Sequence, residues 1–134
     1  MSIEDRLAIS DLFMRYTTAL DGGDVETVVD CFTADAALES PVIGVIAGRD
    51  AIRAFAVRFA AQRAGGTQFR HMITNIAAEI SAGGDRARAS AYLLVLITRD
   101  GKSRQPSFET AVDLHRFLDT IRQSSDAGRE LPVA

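Results

Sequence analysis

The sequence has no tryptophan, one cysteine and two histidines among its 134 residues. Because Cys31 stands alone, an intrachain disulfide is excluded, and a reducing cytoplasm is the expected location. No Lys/Arg run supplies a patch that could track phosphates, and the net charge of −3 argues against nucleic acid as the main partner. No apolar stretch approaches the roughly 20 residues that a membrane helix needs. The first residues lack a basic start followed by an apolar stretch and a small-residue cleavage site, so no secretory leader and no membrane partner are expected. A His/Cys cluster of metal type is missing, as is a glycine-rich nucleotide loop. Neither a metal nor a cofactor is expected.

What is present is a chain that is 47% hydrophobic and 25% charged, enough for one globular domain over residues 1–134 with a sizeable core. Ser2 followed by Asp5 reads as a helix cap. Ile9, Leu12, Phe13, Tyr16 and Leu20 then recur at helical spacing until Gly22-Gly23 stops them. Asp24 caps a second helix carrying Val25, Val28, Val29 and Phe32 on one face. Cys31 on that apolar surface reads as core packing. A turn and short strand over Thr33 to Ser40 are halted by Pro41, and Val45 to Ala47 is a second short strand. Gly48 opens a third helix with Ile52, Phe55, Ala56, Phe59 and Ala60 on one side and Arg53, Arg58 and Arg63 on its wet face. Gly65-Gly66 closes it.

Two long extended runs follow, Gln68 to Ser81 and Arg86 to Thr98, joined by a hairpin at Gly83-Gly84-Asp85. On the first run Phe69, His71, Ile73 and Asn75 point one way, with Arg70 facing away from His71. A tight hairpin centred on Gly83-Gly84 would bring Tyr92, Leu94 and Leu96 to the face of His71, and a bulge would reverse that. Past Pro106, Phe108, Ala111, Val112, Leu118 and Ile121 fit an amphipathic helix capped by Ser107, which is favoured over a strand around Ala111 to Phe117. His115 in that tail reads as solvated, and Ser124 to Ala134 reads as loose.

The candidate chemistry lies in Asp21, at the end of the first helix, and His71, fifty residues later on a strand. A carboxylate facing an imidazole orients the ring and strengthens it as a base near neutral pH. The bland alternatives are that Asp21 is a turn residue before two glycines and that His71 is structural. Tyr16 could be a core aromatic, and Asn75 and Tyr92 could merely satisfy neighbours.

The segments AISDLFMRYTTALDGGDVETVVDCFTADAALESP, GRDAIRAF and FRHMITNIAAEI resemble the SnoaL-like branch of the nuclear-transport-factor-two-like superfamily. The resemblance covers residues 3–98. It implies an α+β cone, a curved antiparallel sheet packed on three N-terminal helices, with an atypical tail over 99–134 that reads as helical. Asp21 and His71 match the aspartate and histidine that scytalone dehydratase and hexachlorocyclohexane dehydrochlorinase use to take a proton from carbon while water or chloride leaves. The resemblance therefore implies a cofactor-independent lyase of the dehydratase or dehydrohalogenase type. Its substrate would be small, hydrophobic and cyclic, with Phe13, Tyr16, Phe69, Ile73, Asn75 and Tyr92 around it.

Other branches fit less well. The steroid isomerases of this fold match at Tyr16, but their catalytic aspartate falls at Ser40, with Glu39 on the other face. The Asp-Arg-Asp arrangement of the epoxide hydrolases has no equivalent here. A double-bond isomerase and a non-catalytic ligand-binding or dimerisation module remain the alternatives, because this fold hosts many functions. With a helical tail, the strand over Arg86 to Thr98 would keep an unpaired edge. Its apolar residues 93–97 would then need cover, which implies a homodimer or larger closed assembly.

Overall fold

A computed structural model describes residues 2–40, 43–84, 86–100 and 102–110, with the backbone alone described over 103–110. Three helices come first: α1 (Ile3–Gly22), α2 (Val25–Asp30) and α3 (Arg49–Ala64). Between α2 and α3 lies a small antiparallel hairpin of β1 (Ala37–Ser40) and β2 (Gly44–Ala47). The larger sheet is antiparallel in the order β3 (Thr67–Ile80), β4 (Ala87–Arg99) and β5 (Lys102–Thr110). Among the described residues no helix is long and apolar enough to cross a membrane.

The helix boundaries follow the capping chemistry. Ser2 Oγ accepts from the Asp5 amide and the Asp5 carboxylate accepts from the Ser2 amide, both at 3.0 Å, so two orphan donors of the first turn are satisfied reciprocally. At the other end Gly23 takes the left-handed conformation, φ 77°, which turns the chain directly into Asp24. Asp24 then caps α2 through the amide and hydroxyl of Thr27, and those bonds hold its carboxyl below the ordinary range.

One face of each helix turns into a common core, with α1 and α3 packing on the sheet and α2 on α1 and α3. Ile9, Leu12, Phe13 and Leu20 of α1, Val28 of α2 and Ile52 of α3 join one buried cluster with Ala89 and Ala91 of β4. The two alanines let the helices approach the sheet where larger residues would hold them off. Cys31 is wholly buried, its Sγ 3.2 Å from the Thr27 carbonyl oxygen. Burial pushes its thiol up to about 11. At neutral pH it is a protonated packing group, in line with its place in the sequence pattern.

Two expectations are corrected in the sheet. The hairpin turn lies where the glycines put it, with Ile80 opposite Ala87. A bulge between Thr74 and Ala77 then shifts the register by one residue, so that Thr74 faces Tyr92 and His71 faces Val95. Paired residues share a face, so Leu93, Val95 and Ile97 accompany His71, while Tyr92, Leu94 and Leu96 lie on the other side. Asn75 is the inserted residue. Its φ of 55° is a conformation that Asn tolerates better than most, and it is exposed, while Ile76 packs toward the core in its place.

The second correction concerns residues 102–110. They form a strand where a helix starting at Ser107 was expected. β5 pairs with β4 from Arg99↔Lys102 to Tyr92↔Thr110, so β4 is hydrogen-bonded on both sides and its expected open edge does not exist. Pro106 falls inside the irregularity between the pairs Ile97↔Arg104 and Val95↔Ser107, where its missing N–H removes no ladder bond. The expected helical positions from Ala111 onward, the alternative strand, His115 and the loose end at Ser124 to Ala134 lie outside the described residues.

Candidate active site

Asp21 is the penultimate residue of α1, and the glycines after it let α1 end against both α3 and the sheet. The amides of Gly23 and Asp24 fold back onto the carbonyls of Leu20 and Ala19. The Asp21 carbonyl takes a hydrogen bond of 3.1 Å from Arg63 Nε on α3. Its side chain reaches across to β3.

There both carboxylate oxygens engage one residue. Oδ1 lies 2.5 Å from His71 Nδ1, and Oδ2 accepts from the His71 main-chain N–H at 2.8 Å. Among the described residues β3 is an edge strand of its sheet, and at His71 its amide points away from β4, so Asp21 fills a donor that the ladder leaves open. The two side chains are 13% and 10% exposed, which shields the contact from competing water. With Nδ1 donating to the carboxylate, the neutral ring keeps its lone pair on Nε2, the nitrogen a general base must present. Nε2 has no hydrogen-bond partner among the described residues.

Aromatic rings frame the imidazole. Phe59 of α3 lies with its ring centroid 4.3 Å from that of Phe69 and 5.8 Å from that of His71. Phe69 shares the His71 face of β3 two residues earlier, its ring 6.4 Å away. Ile73 follows on the same face, half-buried against the core. Phe13 is 4% exposed within the core cluster, and Tyr16 packs edge-on against Phe32 with centroids 5.5 Å apart. The structure thus brings Asp21, His71, Phe69 and Ile73 to one side of the sheet. Asn75, extruded at the bulge, and Tyr92, 57% exposed on the opposite face, do not join them.

Three residues near the pair were not singled out from sequence for this place. Phe59 carried a usable signal, since it follows Phe55 by one helical turn on the same apolar face. Val95 could be identified only once the bulge had fixed the register. Arg63 read as part of the wet face, and nothing in the helical pattern ties it to α1. Among the described residues no three His, Cys, Asp or Glu side chains gather as ligands of a metal ion would.

Comparison with known proteins places the chain in a family. A family model described as SnoaL-like domain matches residues 1–126. The chain belongs to the SnoaL-like family. Its fold is the α+β cone of the nuclear-transport-factor-two-like superfamily, as the sequence segments imply. A protein of Catenulispora acidiphila, solved in complex with S-DNPA, is 27% identical with a TM-score of 0.61, covering 81% of this chain and 75% of that one. An ntf2-like protein with a cystatin-like fold from Novosphingobium aromaticivorans is 24% identical with a TM-score of 0.65, over 81% and 68% of the two chains. Aln2 from a Streptomyces species is 23% identical with a TM-score of 0.67, over 92% and 98%. The last two likenesses are of fold alone. No curated protein matches the chain.

Proposed function

We propose that this SnoaL-like protein is a cofactor-independent lyase in which His71 is the general base and Asp21 its orienting carboxylate. The observation that carries this is the double engagement of His71 by Asp21, on the ring and on the backbone amide of one residue. That grip fixes both the position of the ring and its tautomer. His71 Nε2 would take a proton from a carbon next to an electron-withdrawing group, and a C=C bond would form as the adjacent C–halogen or C–O bond breaks. Its pair would leave on halide, or on hydroxide, which takes up the proton of the His71 imidazolium and departs as water. The carboxylate stabilises the imidazolium meanwhile. Phe59, Phe69 and Ile73 supply an apolar surface beside the ring, which suits a small hydrophobic cyclic substrate. The Catenulispora relative solved with S-DNPA supports a small molecule as the partner. Phe13 and Tyr16 would stand behind this surface as its packing support.

The same base could return its proton to another carbon of the substrate, which would make the protein an isomerase. The reading is tested by incubating the protein with a panel of cyclic alcohols, enones and halides and weighing the products. Loss of the mass of water or of a hydrogen halide is the expected result. A product of unchanged mass would assign isomerisation, and tight binding without turnover of any compound would leave a ligand-binding module.

The protein acts, in this reading, as a cytoplasmic homodimer. With β4 paired on both edges, the reason shifts from an open edge to the outer face of the sheet. There Met72 and Tyr92 are 41% and 57% exposed, with Leu94 and Leu96 half-buried beside them. An apolar face of this kind is most simply covered by a second copy about a two-fold axis. Sedimentation at micromolar concentration should give twice the chain mass, and a stable monomer would refute the assembly.

A further inference from the structure

We infer that Arg63 is a positioning residue, acting on His71 through the main chain of Asp21. The inference rests on the reading of Asp21 and His71 as a working pair. Asp21 sits where α1 is weakest. It belongs to the last turn, where the Gly23 and Asp24 amides take the carbonyls of Leu20 and Ala19 and leave that of Asp21 to a donor from outside the helix, and it precedes Gly22-Gly23, the two residues with the greatest backbone freedom. α1 has no basic residue in its own last turn to meet that carbonyl. Arg63, in the last turn of α3, supplies both what is missing there, a donor and a positive charge.

The approach is built into the packing. A Cβ placed on Gly23 would lie 3.5 Å from both Arg63 Cδ and Ala60 Cβ, so the stem of Arg63 runs directly over the glycine turn. Asp21 is therefore held from two sides. Arg63 holds its carbonyl, and β3 receives its carboxylate at 2.5 and 2.8 Å. Releasing the carbonyl lets the glycine end of α1 fray and draws the carboxylate away from the imidazole. The neighbouring Arg53 has a different task, since it pairs with Glu26 across to α2.

Nitrogen-15 NMR of histidine-labelled protein, in a His115→Gln background that leaves one histidine signal, reads the consequence directly. The wild-type His71 should show a low-field Nδ1–H resonance shared with a carboxylate and a protected main-chain amide. Arg63→Met, which keeps the stem over Gly23, and Arg63→Ala should weaken that resonance. Either change should also speed exchange of the His71 amide by about 5- to 10-fold, the scale set by one hydrogen bond. Arg63→Lys, which retains a cationic donor, should restore much of both signals. Arg53→Ala should leave both unchanged, although it too removes an ion from α3. Unaltered His71 signals in Arg63→Met and Arg63→Ala would overturn the inference while leaving the pair intact. Absence of the resonance and of amide protection in the wild type would instead overturn the Asp21–His71 pairing itself.

Discussion

Replacing His71 by glutamine should reduce turnover of an authentic substrate by about 10²–10⁴-fold, the usual worth of a positioned general base. Glutamine approximates the volume of the ring and keeps the main-chain N–H that Asp21 Oδ2 accepts, so α1 should stay docked on β3 and the melting temperature should change little. Stopped assays with product analysis, alongside thermal melts, check both points. Wild-type turnover by His71→Gln would move the chemistry to other residues.

The second large effect is expected at Asp21, where two substitutions should part company. In Asp21→Asn the carboxamide oxygen can still accept from the His71 amide, but its NH₂ then faces Nδ1. A neutral imidazole must answer by moving its proton to Nε2, which turns the base into a donor. Turnover should fall by about 10³–10⁴-fold, as when an orienting aspartate becomes asparagine in a serine-protease triad, with folding nearly intact. Asp21→Ala removes both acceptors instead. It strands a largely buried ring N–H and an edge-strand amide, at a stability cost of about 1–3 kcal/mol in addition to lost activity. Thermal melts alongside rates distinguish the two. Equal melting of both variants, or an Asp21→Asn rate within a few-fold of wild type, would mean that the carboxylate does not set the tautomer.

Much of this was legible in the sequence because local chemistry and tertiary structure agree. The Ser2–Asp5 cap, the Gly22-Gly23 stop and the Asp24 cap locate α1 and α2 without reference to anything distant. The period-two runs on either side of Gly83-Gly84 locate the hairpin. The partnership of Asp21 and His71 came from a family resemblance, since nothing local connects residues fifty positions apart. The facing of Tyr92 and Asn75 was not legible, because a bulge is one residue of excess length that leaves hydrophobic alternation readable on each side of it. The strand nature of residues 102–110 was hidden for another reason. Pro106 argues against a strand unless it falls at an irregularity, and that irregularity is a property of the pairing with β4. Arg63 escaped because a long polar side chain at a helix end looks the same whether it is solvated or reaches a neighbouring carbonyl.

The bulge at Asn75 also governs how this chain should be aligned with its relatives. β4 presents its odd-numbered residues inward along its whole length, from Ala87 to Ile97, whereas β3 changes from odd to even across Asn75. Removing that residue would leave the order of inward and outward positions regular, with Ile76 following Thr74. Asn75 is thus an insertion in phase terms, and a relative with an uninterrupted strand should be matched with a one-residue gap there. Counting instead from the Gly83-Gly84 turn without a gap would set His71 against an outward-facing position of such a relative. The base would then seem to have been lost from a hairpin that still carries it.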